Sequence, residues 1–133
     1  MTSTPCIGVC STTYGDDVCR GCGRYWDEVV SWQEYSEDQK KDVWYRIEQA
    51  SKWVLGSYLS LRPDTEDRVS KELLEVGERV PKGIGPWTAV LRYIRATGHP
   101  PSCVDVIKEL PPRSVLYERK HNVMTYWFER KYG

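Results

Sequence analysis

A chain of 133 residues can bury one modest hydrophobic core, and no apolar run in it approaches the roughly 20 residues that span a bilayer, which excludes a membrane-spanning helix. Nineteen basic and nineteen acidic residues cancel, so no global field draws the whole molecule to nucleic acid or a membrane surface. The charge is segregated, however. Residues 1–81 carry 10 basic and 15 acidic side chains, whereas residues 82–133 carry 9 and 4, so a polyanionic partner is expected at the C-terminal part.

The N-terminal sequence MTSTPCIGVC has no basic region followed by an apolar stretch, so a secretory leader is not expected and the reading is cytoplasmic. In a reducing compartment, clustered cysteines are better read as metal ligands than as disulfides. Cys6 and Cys10 form a C-x3-C pair, Cys19 and Cys22 a C-x2-C pair. Each pair can bite one metal from a tight turn, and two pairs close a tetrahedron of soft thiolates that suits zinc or an iron–sulfur centre. The two short pairs and the lack of a further free ligand favour zinc in a closed, structural site, with a cluster as the alternative. Gly21 and Gly23 flank Cys22, where a positive φ lets backbone amides point at the sulfurs. Trp26, Val29, Val30 and Trp32 then fall on one side of a short helix expected to lid this knuckle. Together they make a predicted unit over 1–35, followed by a helical domain over 36–133.

Ser36 and Gln39 form a capping box that opens a helix with Val43, Trp44, Ile47, Ala50, Val54 and Leu55 inward. Asp64 is predicted to cap a second helix reaching about Arg79, through Val69, Leu73, Leu74 and Val76. Pro86 starts a third helix over 86–97 with Trp87, Val90, Leu91 and Ile94 inward and Gly98 as its stop. Ser102 is predicted to cap a fourth, over 103–110, ended by Pro111-Pro112. Helical spacing links Leu116, Val123, Trp127 and Arg130, but the β-formers around Lys120-His121-Asn122 predict a C-terminal β-hairpin instead. The expected fold is mainly α, with the N-terminal knuckle, a helical body and that hairpin, in the element order of a winged helix.

Pro5, Cys6, Cys10, Cys19, Gly21, Cys22, Arg24, Asp27, Glu28, Trp32 and Ser36 follow the pattern P-C-x3-C, then C-x-G-C-x-R, an acidic residue, a Trp and a Ser-opened helix. On these residues the chain resembles the small bacterial family catalogued as domain of unknown function 1289, over about residues 4–50. Members are commonly described as predicted iron–sulfur proteins. The resemblance implies a metal-binding module on Cys6, Cys10, Cys19 and Cys22 and assigns no reaction.

Asp27 and Glu28 read as first-turn helix acids, Arg20 and Arg24 as solvated neighbours of the thiolates, and Cys103 as a small buried hydrophobe. Trp44, Trp53, Trp87 and Tyr93, at helical spacing, read as core. His99 and His121 lack a nucleophile and carboxylate in a recognisable arrangement. With no phosphate-cradling loop and no open metal position either, an enzyme is not expected. The leading function is a metal-binding binding or regulatory module that contacts nucleic acid through phosphate pairing by Lys82, Arg92, Arg95, Arg113, Arg119 and Lys120. The alternatives are an iron–sulfur redox or sensor protein and an adaptor docking a protein partner.

Overall fold

The computed structural model describes residues 2–7, 12 and 15–132. It is mainly helical: α1 Trp26–Val30, a 3-10 turn Trp32–Glu34, α2 Glu37–Leu55, β1 Leu59–Ser60, α3 Thr65–Glu75, α4 Pro86–Thr97, β2 Asp105–Val106 and α5 Arg113–Tyr132. Helix α2 is the spine, packing on α4 and α5, while α3 packs on α4.

The central helix forms as its sequence dictates. Ser36 Oγ accepts from Gln39 N at 3.2 Å and Gln39 Oε1 accepts from Ser36 N at 2.8 Å, satisfying two otherwise orphaned amides. All six predicted inward residues of α2 are buried. Helix α4 spans the predicted residues and stops at Gly98, whose φ of +83° ends the helix at no steric cost. Its N-terminus is capped across the interface. The Glu48 carboxylate of α2 accepts from Thr88 N at 2.8 Å and Trp87 N at 3.1 Å, and Gly85 admits it, since a Cβ there would lie 2.6 Å from Glu48 Oε1.

Several expectations are corrected. The segment 103–110 is not a helix: flanking Pro100-Pro101 and Pro111-Pro112 leave nine residues, 102–110, containing Val104, Val106 and Ile107, and Leu59↔Val106 and Ser60↔Asp105 pair antiparallel instead. Ser102 caps nothing; its amide and hydroxyl donate to Glu72 Oε1 at 3.0 and 2.8 Å. The segment 113–130 is not a hairpin but part of the 20-residue α5. Among the described residues, every positive φ belongs to glycine, so Lys120-His121-Asn122 supplies no primed turn, and burying Leu116, Lys120 and Met124 at four-residue spacing overrides β propensity. With neither the second helix nor the wing, the winged-helix order is absent.

Helix α3 ends at Glu75 rather than Arg79, because Gly77 turns at φ +82° and Glu78 N closes onto Leu73 O at 2.9 Å. Leu74, within the helix, and Val76, at its C-cap, face solvent rather than the core. Of the four aromatics expected inside, Trp44 and Tyr93 are buried and Trp87 partly so, whereas Trp53 is 73 % exposed. Trp26 and Val30 also point outward, and Trp32 and Tyr25 are the buried rings of this region.

Candidate metal centre

Residues 18–25 make a narrow loop closed by its own backbone. Val18 bridges Tyr25, Cys19 N donates to Arg24 O at 2.8 Å, and Gly23 N donates to Cys19 O at 2.8 Å. Gly23, at φ +86°, makes the return possible and lets Met124 of α5 pack directly on the turn. Cys19 and Cys22 are both buried. Their side chains hydrogen-bond to one another, which together with burial drives the Cys22 thiol well above its ordinary range, and Arg24 opposes the shift.

Two sulfurs therefore converge. Cys6 sits half-buried on an N-terminal segment zipped to the body: Trp44 Nε1 donates to Ser3 O at 2.8 Å, Arg92 to Pro5 O at 2.6 Å, and Arg79 to Cys6 O at 3.0 Å. Cys10 lies outside the described residues. Among the described residues, no three His, Cys, Asp or Glu side chains form a group able to hold a metal.

The charge around the pair is the feature that composition hid. Arg24 is not a solvated neighbour: it is 5 % exposed, with Nε donating to Cys22 Sγ at 3.4 Å and its guanidinium 5.3 Å from the Trp32 ring centre. Lys120, also 5 % exposed, projects from α5 into the field of Cys22 and Cys19, and burial pulls its ammonium down to about 8. Arg92, from α4, is lowered by burial, and Tyr117 comes ahead of Cys22 among the groups that oppose the shift. Desolvated cations around neutral thiols are expensive, whereas cations around thiolates are balanced. The donor chemistry therefore fits a thiolate-bound metal, because a divalent ion on four thiolates keeps two net negative charges.

Beside the loop, Glu28 is more than a first-turn acid. It accepts from Tyr25 N at 2.8 Å and pairs with Arg46 of α2 through both oxygens, one of them at 2.8 Å. The Arg46 guanidinium carbon lies 3.8 Å from the Tyr25 ring centre, while its Nε is buried without a partner. Tyr25 in turn meets Phe128 edge-on at 5.0 Å, so α1, α2 and α5 meet on one ring. Neither Arg46 nor Glu28 carries a local motif that announces this pair.

The six basic residues proposed for phosphate contact do not form one surface. Lys120 is interior and Arg92 is engaged with Pro5 O. Arg113 donates to Arg95 O at 2.8 Å, and both border a hollow of about 520 Å³ with Tyr117. Arg119 donates to Tyr58 Oη at 2.7 Å, and Lys82 is exposed on the loop held by Ser3. His99 is exposed against Tyr93, and His121 keeps a buried Nδ1 without a partner. Cys103 is buried as read, its thiol pushed up to about 11 by burial and by Glu72. No described helix is long and apolar enough to cross a membrane.

The family described as Protein of unknown function (DUF1289) matches residues 4–51, the stretch that holds the four cysteines and most of α2. No curated protein and no solved structure matches the chain.

Proposed function

We propose that Cys6, Cys10, Cys19 and Cys22 hold one metal centre, zinc by preference, that organises a binding or regulatory module rather than an active site. The observation that carries this reading is the pair of cations, Arg24 and Lys120, withdrawn from water beside Cys19 and Cys22. When bound, the metal supplies folding free energy, on the order of 10 kcal/mol for a structural thiolate site. The chain's own part is to orient and balance the sulfurs: Arg24 Nε–H donates to Cys22 Sγ, and Gly23 turns the backbone beneath it. An iron–sulfur cluster on the same thiolates leaves similar charge and is the alternative. Any contact with nucleic acid would fall to Lys82, Arg92, Arg95, Arg113 and Arg119, because Lys120 is interior.

The deciding experiment is metal analysis and a visible spectrum on protein purified without oxygen. Colourless protein with one zinc per chain supports the reading, and a brown protein with a charge-transfer band moves it to the cluster. Neither metal at stoichiometric level sinks it. Cys22→Ser should abolish metal retention, and full retention in that variant would remove Cys22 from the ligand set.

A further inference from the structure

We propose that the groove between α2 and α5 receives an acidic amphipathic helix of a protein partner. The inference rests on the binding half of the reading above and does not require the metal. The two helices run antiparallel: Arg119, early in α5, reaches Tyr58 beyond the end of α2, while Arg46, at the middle of α2, meets Tyr25 on the ring that Phe128, late in α5, packs against. Antiparallel neighbours leave a furrow one helix wide, into which the ridge of a third can pack.

The walls of this furrow are aromatic and uncovered. Trp53 is 73 % exposed and Tyr126 54 % exposed, at positions where an amphipathic helix places polar residues. Among the described residues the Trp53 indole has no ring or cation stacked on it. Between the walls lie two adjoining hollows of about 330 and 400 Å³ that share Trp53, Asn122 and Val123. Tyr126 and Trp127 close one hollow, Val54 and Tyr58 the other. A contiguous apolar surface of this kind marks an interaction site, and Trp, Tyr and Arg are the residues that carry interface energy.

Charge selects the occupant. The charged residues lining the hollows along Trp53 are Lys52 and Arg119, Arg130 lies on Tyr126 at 3.0 Å, and no carboxylate lines them. A helix with an apolar stripe and acidic flanks is complementary to an apolar floor between cationic ends. A nucleic-acid strand is the poorer fit: Val54, Val123 and Trp127 offer no cationic track for successive phosphates.

The test selects a displayed library of random peptides of about 20 residues, the length of a helix matching α2, on the metal-loaded full chain with the Trp53→Ser chain as counter-target. Enriched sequences are expected to repeat apolar residues at i, i+3, i+4 and i+7 between Asp and Glu. A synthetic copy should bind about tenfold more weakly to Trp53→Ser and to Tyr126→Ser, both exposed positions whose replacement leaves the fold intact. No enrichment over the counter-target, enriched peptides without acids, or undiminished binding to both variants would overturn the proposal. So would Trp53-dependent binding of oligothymidylate, or a dimer in sedimentation that Trp53→Ser abolishes. Metal is assayed in the same samples. Failure of peptide binding at one metal per chain refutes the groove alone, and chain purified without stoichiometric metal that still binds the peptide refutes the metal reading alone.

Discussion

Replacing Lys120 by methionine removes a cation that is 5 % exposed and keeps most of its aliphatic volume, so the variant reads the charge of the cysteines directly. Burial lowers this ammonium from 10.5 to about 8, a difference that corresponds to about 3 kcal/mol against holding it charged at neutral pH. In protein stripped of metal, Lys120→Met should therefore stabilise the fold by up to about 3 kcal/mol. In loaded protein the same change takes a balancing charge from a doubly negative thiolate centre. Loss of a supporting group around a metal costs about 10- to 100-fold in affinity, or about 1.4 to 2.8 kcal/mol. The stabilisation contributed by the metal should shrink by that amount. Urea unfolding of stripped and zinc-loaded protein, wild type and variant, closes the cycle, and chelator competition measures the affinity independently. Equal changes in the two forms, within about 0.5 kcal/mol, would refute the argument that Lys120 is there for thiolates.

Gly23→Ala should destabilise by about 2 to 4 kcal/mol, from a left-handed backbone and a Cβ placed 2.8 Å from Met124 Cε and nearer still to its sulfur. Met124→Ala should relieve the second part, so strictly additive urea midpoints for the two changes would show that the contact is not the cause. Glu28→Gln leaves Arg46 charged and half-paired beside its unpartnered Nε, and should cost about 3 kcal/mol in chemical unfolding; a loss under about 1 kcal/mol would mean the pair is not buried in solution. Burial raises the Glu72 carboxyl, but hydrogen bonds from the Ser102 hydroxyl, the Cys103 thiol and both amides outweigh it and hold the group below its ordinary 4.5. The unfolded chain thus binds the proton more tightly, so this contribution is present above about pH 4.5 and is lost as pH falls through the lower folded value. Glu72→Gln should flatten the acid limb of the stability curve, and an unchanged limb would dismiss the contact between α3 and the 102–103 turn.

Much of the helical body was legible because its signals are local and agree with one another. The Ser36 box, the α2 stripe, Pro86 and Gly98 each state one boundary or face, and the structure follows them. The misreadings share a different cause. Residues 103–110 combine helix-capping chemistry with β-branched residues between proline pairs, and only the Tyr58 carbonyl, which takes Ile107 N at 2.7 Å, decides the outcome. Trp53 lies at helical spacing with core residues, yet one turn later on the rim it faces water, a distinction of about 50° around the helix that hydrophobicity cannot report. The spacing of Cys19 and Cys22 announces that the two thiols converge, whereas the buried Lys120 beside them is not legible, because it comes from α5, far away in sequence.

The same residue explains why the pattern of α5 suggests a hairpin and bears on the proposed charge of the cysteines. Leu116, Lys120 and Met124 are the buried residues of α5, and a lysine in the middle of that stripe breaks the apolar period by which a helix is recognised. Were the groups facing Lys120 neutral, a leucine would fill the place at lower free energy and the helix would have been evident from its pattern. Free thiols would leave this lysine unbalanced, whereas a metal on the proposed thiolates would set negative charge at Cys22 and Cys19 opposite it. Met124, one turn on, closes against Gly23, so the helix that carries the compensating charge also holds the turn that presents the sulfurs. Metal retention and docking of α5 should accordingly rise and fall together: a chelator that strips the centre should raise hydrogen exchange at 116–128 along with that at 18–25. Protection of α5 that survives stripping unchanged would separate the two.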